Sequence, residues 1–388
     1  MPARNRFANL LAEITEWRQD IHAHPELRFD EHRTAAKVAE LLTGFGCDDV
    51  VTGIGQTGVV GVIHGCAQGS GKVIGFRADM DALPIPETTG LPHASTHPGV
   101  MHACGHDGHT AMLLGAAKYL AETRNFDGTV VLIFQPAEEG SGGARAMLAD
   151  GLMTRWGIQE VYGMHNWPGI PAGKFAVRDG PQMAATAFFE LTIKGRGGHA
   201  ALPHKAVDTT VTAAQVVVAL QTIAARNIDP LKTVVVSTCG LRSDSNTYNV
   251  IPDEIRLRGT VRYFDPDVDE IVQKRLREIA ELTAQAHGAD AHLDYTPCVP
   301  PTINDPEAAA RAAKVAQAVS GDVIRDFDPV MPGEDFSEML AERPGAFLFI
   351  GNDDSADLHN PAYEFNDELI PVGCSWYAEM AERRMPLG

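Results

Sequence analysis

Between Met101 and His109 the chain sets out one thiol, three imidazoles and one carboxylate in nine residues, with Gly105 and Gly108 free to bend the backbone. Cys104 and His106 stand two apart, so in an extended or looped segment their side chains point to the same side. Thiolate and neutral imidazole are the usual donors to zinc-like ions. A polar loop with a buried cysteine and solvated histidines would look the same, so the choice rests on what else the chain offers. Glu138-Glu139 is the most telling addition. Adjacent carboxylates repel, and burial raises the pKa of one of them. Their ordinary setting is a solvated surface, yet here they follow the apolar run Thr129–Phe134 and precede Gly140-Ser141-Gly142-Gly143. A divalent ion resolves the conflict: one carboxylate binds it while the other acts as general base toward a water.

Other strand ends extend the pattern. Asp79 and Asp81, Glu138 and Glu139, and His165 each come just past the carboxyl end of an apolar strand, and His359 follows the strand 345–350 by nine residues. Ligands of open α/β sheets bind in the crevice outside those ends, so separate clusters can converge there. His165 and His359 gain from this placement. His102 and His109 are expected to orient ligands through hydrogen bonds, and Asp107 to cap the helix that follows. His22, His24, His32 and His64 read as structural, while His199 and His204 are further candidates.

These positions need a scaffold. Residues 6–42 read as two helices broken at His24-Pro25-Glu26, the first carrying Phe7, Leu10, Leu11, Ile14 and Trp17 at helical spacing. Short strands with glycine turns follow at 50–52, 58–64 and 72–76. Residues 110–120 are apolar nearly all round, as in a helix covered on both sides. Further strands are expected at 129–134, 160–164 and 345–350. Apolar strands alternating with helices predict an α/β catalytic domain with a mostly parallel central sheet flanked by helices. The middle differs: strand 186–194, helix 208–226, strands 233–241 and 255–263, helix 268–287 and strand 291–295 form a βαββαβ unit of ferredoxin-like pattern. The expected division is a discontinuous catalytic domain over 1–181 and 296–388, with an inserted lid or dimerisation domain over 182–295.

A formal charge of −19 over 388 residues argues against nucleic acid and anionic membrane as partners, since both require a basic face. No run of about 18 apolar residues offers a membrane span. No basic segment leads into an apolar one at the start, so a cytoplasmic location is expected. Six scattered cysteines without a CxxC pair suit a reducing compartment. Two motifs mislead. Gly195-Arg-Gly-Gly-His-Ala200 matches a dinucleotide fingerprint, but Pro203 intervenes before the helix that such a motif must open. Asp265, Asp267 and Asp269 resemble a calcium loop lacking its glycine and its closing glutamate; helix capping accounts for them.

Taken in order, several motifs resemble those of the aminoacylase and glutamate-carboxypeptidase group of dinuclear metallohydrolases, closest to the branch of hippurate hydrolase and the plant indole-acetyl-amino-acid hydrolases. They are His24-Pro-Glu-Leu27, Arg77-Ala-Asp-Met-Asp-Ala-Leu-Pro84, Met101–His109, Gln135-Pro-Ala-Glu-Glu-Gly140, Gly163-Met-His-Asn166, Gly197-Gly-His-Ala200, Asn249-Val-Ile-Pro252, Gly333-Glu-Asp-Phe336 and Leu358-His-Asn-Pro361. The resemblance implies two divalent ions per subunit held by Cys104, His106, Glu139, His165 and His359, with Glu138 as general base. It also implies that His199 reaches a neighbouring subunit's site to hold the oxyanion, that Asn249 lies near the substrate, and that the protein is a homodimer or higher homo-oligomer. Most of the group has a His-x-Asp pair where this chain has Asp79-Met80-Asp81. Cys104 with His106 takes over, and thiolate shifts preference toward softer ions; Mn2+ or Zn2+ is expected, with Ni2+ or Co2+ also compatible. The implied reaction is hydrolysis of N-acyl amino acids of N-acetyl or N-benzoyl type, with Arg262 a candidate for the substrate carboxylate. A dipeptidase or carboxypeptidase using the same site, and a non-catalytic metal-dependent binding protein, are the alternatives.

Overall fold

A computed structural model describes residues 2–140 and 142–388, apart from the side chains of residues 2–5; Ser141 of the glycine-rich segment lies outside the described residues. The chain divides into two compact units. The first comprises the residues up to Gln182 together with Thr302–Asp328 and Asp335–Gly388. Its sheet has eight strands in the order Asp49–Ile54, Gly58–His64, Thr129–Gln135, Val73–Asp79, Glu160–Trp167, Gly345–Gly351, Phe175–Ala176 and Val323–Ile324. The four central strands from Thr129–Gln135 to Gly345–Gly351 run parallel, and the Gly58–His64 and Asp49–Ile54 strands join antiparallel. This is the expected α/β architecture with a mostly parallel central sheet.

Parallel central strands must be covered on both faces, which is why they are apolar throughout rather than alternating. Thr129–Gln135 and Gly345–Gly351 are buried at every residue. The helix His106–Thr123 lies over the sheet and packs on the helices Pro2–Ala23 and Ile370–Arg384. Their close approach needs Gly115, where a Cβ would stand 2.5 Å from Cys374 Sγ and 2.7 Å from Ile14 Cδ1. Phe76 on the sheet meets Tyr377 (5.2 Å between ring centroids) and Trp376 (6.5 Å) from the last helix. Each such buried side chain contributes about 1.5–3 kcal/mol, so the core anchors the strand that ends at Asp79.

The second unit spans Met183–Pro301 and Pro329–Glu334. It runs strand, helix, strand, strand, helix, strand, and its sheet is antiparallel in the order Val234–Ser243, Glu254–Tyr263, Ala185–Lys194, Asp290–Val299. Residues of the helices Thr209–Leu220 and Pro266–Ala286 share one apolar core with the sheet. Burial alternates along Glu254–Tyr263, leaving the other sheet face open. The unit extends to Pro301 rather than Tyr295 because the last strand continues to Val299. Pro329–Glu334 returns to it through Ala184 N–H and Val330 O at 3.0 Å. The expected helix 208–226 is interrupted at Gln221 and gives Thr209–Leu220 and Thr222–Arg226. Asp265 does cap its helix, accepting from Asp267 N–H, and no helix opens within Gly195–Ala200.

Asp107 corrects an expectation. The helix starts at His106, and its N-cap is Gly105 in the left-handed region (φ 88°), with no side-chain cap. A Cβ at Gly105 would overlap Asn166 Nδ2 and Tyr363 Oη, so a side-chain cap cannot sit there. Asp107, one residue into the helix, is buried and pairs instead with His22 Nδ1 (2.8 Å) and Arg18 Nη1 (3.3 Å). His22 Nε2 also faces Glu87 at 3.4 Å. Burial disfavours the His22 cation, but Asp107 outweighs it and holds the group at about 9. Burial likewise opposes the Asp107 carboxylate, and His22 and Arg18 reverse this, driving it far below the usual range. The His22 contribution is complete below its unfolded pKa of about 6.5 and fades as pH rises through about 9; that of Asp107 is complete above about 4 and fades in acid. His22→Ala should therefore cost about 3–5 kcal/mol at pH 6, and urea unfolding should show the penalty shrinking as pH rises from about 6.5 to about 9.

Candidate metal centre

Parallel strands bring their carboxyl ends to one edge, and the expected donors gather there. Asp79 is the last residue of its strand, Glu138 and Glu139 follow Gln135, and His359 lies in the loop after Gly345–Gly351. His165 sits inside Glu160–Trp167 rather than past its end. Cys104 Sγ is 3.3 Å from His165 Nε2. A tetrahedral ion with donors at about 2.1–2.3 Å would hold them about 3.4–3.7 Å apart. His359 Nε2 lies 3.1 Å from Glu139 Oε1, and His106 Nε2 is 4.0 Å from the same oxygen. Neither Glu139 Oε1 nor the buried His106 Nε2 has an aligned hydrogen-bond partner. The donor atoms of Cys104, His106 and His165 lie within 4.8 Å of one another, as do those of Cys104, Glu139 and His359 and those of His106, Glu138 and Glu139. Overlapping groups of this kind could hold two neighbouring divalent ions, and the thiolate, imidazole and carboxylate set suits them.

Hydrogen bonds aim these donors. His106 gives its Nδ1 to Asp81 Oδ1 (3.2 Å), which turns Nε2 inward. Asp81 Oδ2 accepts the Glu139 N–H at 3.0 Å, so one carboxylate orients two candidate ligands. His165 gives Nδ1–H to Asn166 O at 2.6 Å, leaving the Nε2 lone pair beside Cys104. Burial and the neighbouring imidazoles keep His165 well below its usual value, hence neutral. Burial drives the Cys104 thiol well above its ordinary value, and the Glu139, Glu138 and Asp79 carboxylates push the same way. For His106, burial favours loss of the proton, but Asp79, Asp81 and Glu139 outweigh it and hold the ring at about 10.

Backbone strain marks the same edge. Ala137 and His359 are non-glycine residues at positive φ (50° and 64°), conformations that persist only where surrounding contacts impose them. The His359 N–H bonds Ala103 O at 2.7 Å. Ala137 N–H bonds the buried Glu31 at 2.9 Å, and Glu31 also accepts from Thr57 Oγ1 at 2.5 Å. Beneath the carboxylates, Arg77 reaches Asp79 (2.7 Å), Gln135 (2.8 Å) and Asp335 (3.2 Å). Asp335 accepts from Ala144 N–H at 2.9 Å, and its own N–H faces Glu138 Oε1 at 3.4 Å. Sequence reasoning assigns no role to Glu31 or Asp335. The only signal is the position of Asp335 in Gly333-Glu-Asp-Phe336.

Cys104, His106, Glu138, Glu139, His165 and His359 are thus brought together in the first unit, whereas His199, Asn249 and Arg262 belong to the second. There His199 pairs with Val250 in a short two-stranded antiparallel ladder, next to Asn249. Its Nδ1 accepts the Ala201 N–H at 3.1 Å, which places the ring proton on the exposed Nε2. Arg262, the last residue but one of its strand, lies opposite Thr186 and donates to the Thr186 hydroxyl.

Because Cys104 and His106 both hold protons well above neutral pH, cation uptake must expel them, and apparent affinity should rise with pH. Calorimetric titration with Zn2+ at pH 7, in buffers of different ionisation heat, should count roughly two protons released. His106→Ala should bind less metal and release fewer protons.

Known proteins resemble this chain over nearly its whole length. The hippurate hydrolase of Campylobacter jejuni is 42% identical over 96% of this chain and 97% of its own length. An N-acetylcysteine deacetylase of Bacillus subtilis is 38% identical over 95% and 96%. A solved dinuclear metal-binding peptidase of the M20 family, also from Bacillus subtilis, superimposes with a TM-score of 0.85 at 34% identity, covering 97% of this chain and 99% of that one. Residues 75–383 match the sequence profile of peptidase family M20/M25/M40. With a family match over residues 75–383 and near full-length relatives, the chain belongs to that family.

Proposed function

We propose that this protein hydrolyses the amide bond of N-acyl amino acids to a carboxylate and a free amino acid, using two divalent ions held by Cys104, His106, Glu139, His165 and His359. The observation that carries the reading is the placement of Glu138. Its carboxylate falls within 4.8 Å of donor atoms on His106 and Glu139, and the Asp335 N–H faces it from behind. Similarity to a hippurate hydrolase and an N-acetylcysteine deacetylase supports the substrate class.

When bound, the ions supply Lewis-acid polarisation of the amide carbonyl and acidify the attacking water. Glu138 takes a proton from that water as its oxygen bonds the carbonyl carbon. It then delivers the proton to the nitrogen as the C–N bond breaks. His199, with its proton on Nε2, donates to the oxyanion; in this proposal it comes from a neighbouring subunit of a homodimer, with the second unit serving as lid and dimerisation domain. One such donor is worth about 3 kcal/mol. Asn249, beside His199 at the short two-stranded ladder, lies near the substrate, and Arg262 binds its carboxylate. Trp167 shares a strand face with His165 and stacks on Phe349 at 4.2 Å, an aromatic wall that suits a flat acyl group. Zn2+ or Mn2+ is the proposed metal and the cytoplasm the proposed compartment. Among the described residues no helix is long and apolar enough to cross a membrane, and none of the six cysteines is in a disulfide.

A second reading, a dipeptidase or carboxypeptidase on the same site, is favoured by the likeness to the M20 peptidase structure. An amine-release assay with metal-loaded enzyme on N-benzoyl and N-acetyl amino acids and on dipeptides separates the two. Release of a simple acid supports the first reading, and release of a second amino acid the other. Glu138→Gln should lower kcat by about 10^3-fold with metal content unchanged, as read by elemental analysis; retained turnover would remove Glu138 from its role. Arg262→Ala should raise KM for N-acyl amino acids about tenfold or more with little change in kcat.

A further inference from the structure

Asp79 occupies the position at which most of the resembled group places a histidine, and its surroundings show what replaces that donor. Both of its carboxylate oxygens are engaged: Oδ2 by Arg77 Nη1 at 2.7 Å and Oδ1 by His109 Nδ1 at 2.6 Å. Its backbone oxygen takes the Thr110 hydroxyl at 2.8 Å. His109 is completely buried, and its other nitrogen is also used. Nε2 accepts the Asn166 backbone N–H at 2.9 Å and faces Asn166 Nδ2 at 3.1 Å. An acceptor at Nε2 puts the ring proton on Nδ1, toward Asp79. His109 therefore has no lone pair left for a metal, although its ring centroid lies 4.5 Å from that of His165.

Asn166 is where this chain of bonds ends, and every polar group on it has a partner. Its backbone oxygen takes His165 Nδ1–H at 2.6 Å, its Nδ2 donates to Cys104 O at 2.6 Å, and its Oδ1 accepts the Tyr363 hydroxyl at 2.6 Å. Tyr363 in turn closes the turn after His359 through Asn360 O at 2.9 Å. One buried asparagine thus touches the strand of His165, the loop of Cys104 and the turn that follows His359. Its own orientation is set by His109, and that of His109 by Asp79.

We infer that Asp79, His109 and Asn166 are positioning residues: a hydrogen-bonded chain that seats the Cys104 loop and fixes the ring orientation of His165, so that thiolate and imidazole bind one ion as a preset pair. The inference rests on the reading that Cys104 and His165 are ligands. It gives the Asp79 position a different role. The side chain does not meet the ion but holds, through His109, the residue that aims two donors. Partners of this kind are commonly worth about 10–100-fold in metal affinity.

The experiment uses full-length protein loaded with Co2+, whose thiolate-to-cobalt absorption reports the Cys104 bond directly, alongside Zn2+ affinity from chelator competition and the thermal midpoint of the metal-free chain. Asp79→Asn keeps the side-chain volume and removes the charge. It should weaken Zn2+ binding about 10–100-fold and shift or diminish the cobalt band; the metal-free midpoint falls as well, because Arg77 loses one of its two carboxylates, so the cobalt band is the deciding readout. His109→Gln retains an acceptor for the Asn166 N–H and His109→Leu does not, so affinity should fall in the order wild type, Gln, Leu. Should His109→Leu fail to fold, Asp79→Asn and His109→Gln still decide. Unchanged affinity and band in both would overturn the inference, as would a loss of affinity with the cobalt band unchanged. Cys104→Ala separates this failure from that of the ligand reading: if it leaves the cobalt band intact, Cys104 is not a ligand. If it abolishes the band while the chain variants do not alter it, only the positioning inference falls.

Discussion

Four carboxylates, those of Asp79, Asp81, Glu138 and Glu139, meet at the end of a buried parallel sheet, and their mutual repulsion is the constraint to which the surrounding structure answers. Charges of one sign cannot be gathered out of water unless positive charge accompanies them. The protein supplies part of it from below and beside. Arg77 spans Asp79 and Asp335, and His106 lies against Asp79, Asp81 and Glu139. For Asp79, burial favours the neutral acid, yet His106, Arg77 and His109 overcome it and hold the group well below its usual range. At Glu139, burial is likewise overcome by His359 and His106. Two divalent ions are the natural completion of such an arrangement. His106 Nε2 and Glu139 Oε1, neither with an aligned hydrogen-bond partner, mark where they would be met.

The same crowding explains the strained backbone. Positive φ at Ala137 and His359 turns two loops so that Glu138 and His359 face the crevice. Each turn is held by a partner far away in sequence: Glu31 for Ala137, and Ala103 O for His359. Strain of this sort survives because the helix–sheet core beneath does not yield. The buried His22–Asp107–Arg18 network performs a related service one step further from the centre. It fixes the first turn of the helix that begins at His106.

How far these features can be read from the chain depends on the range over which each is decided. Cys104 and His106 are legible from spacing, and Glu138 with Glu139 from the conflict between adjacent charges and an apolar strand. His165 and His359 are legible from strand ends, because parallel strands must present those ends on one edge. Asp107 looks like a cap, since local sequence shows a carboxylate near a helix start but not His22, 85 residues earlier. Asp335 and Glu31 escape for the same reason, with partners 200 and 106 residues away. His109 reads as supporting rather than binding, but its two partners, Asp79 and Asn166, cannot be named from local sequence.

For the segment Met101–His109, composition and spacing alone determined that it could bind a cation, and hydrophobic patterning determined the α/β sheet that carries it. Those are local properties: donor chemistry depends on residue type, and strand or helix on periodicity over a few residues. Which of its five polar side chains would face an ion was decided only by tertiary contacts. Asp81 turns His106 inward, Asn166 seats Cys104, and Asp79 and Asn166 consume both nitrogens of His109. His22 and Arg18 draw Asp107 away to the other side. A side chain is free to bind only when nothing else has claimed its lone pairs, and those claimants come from strands and helices that meet nowhere but in the folded chain.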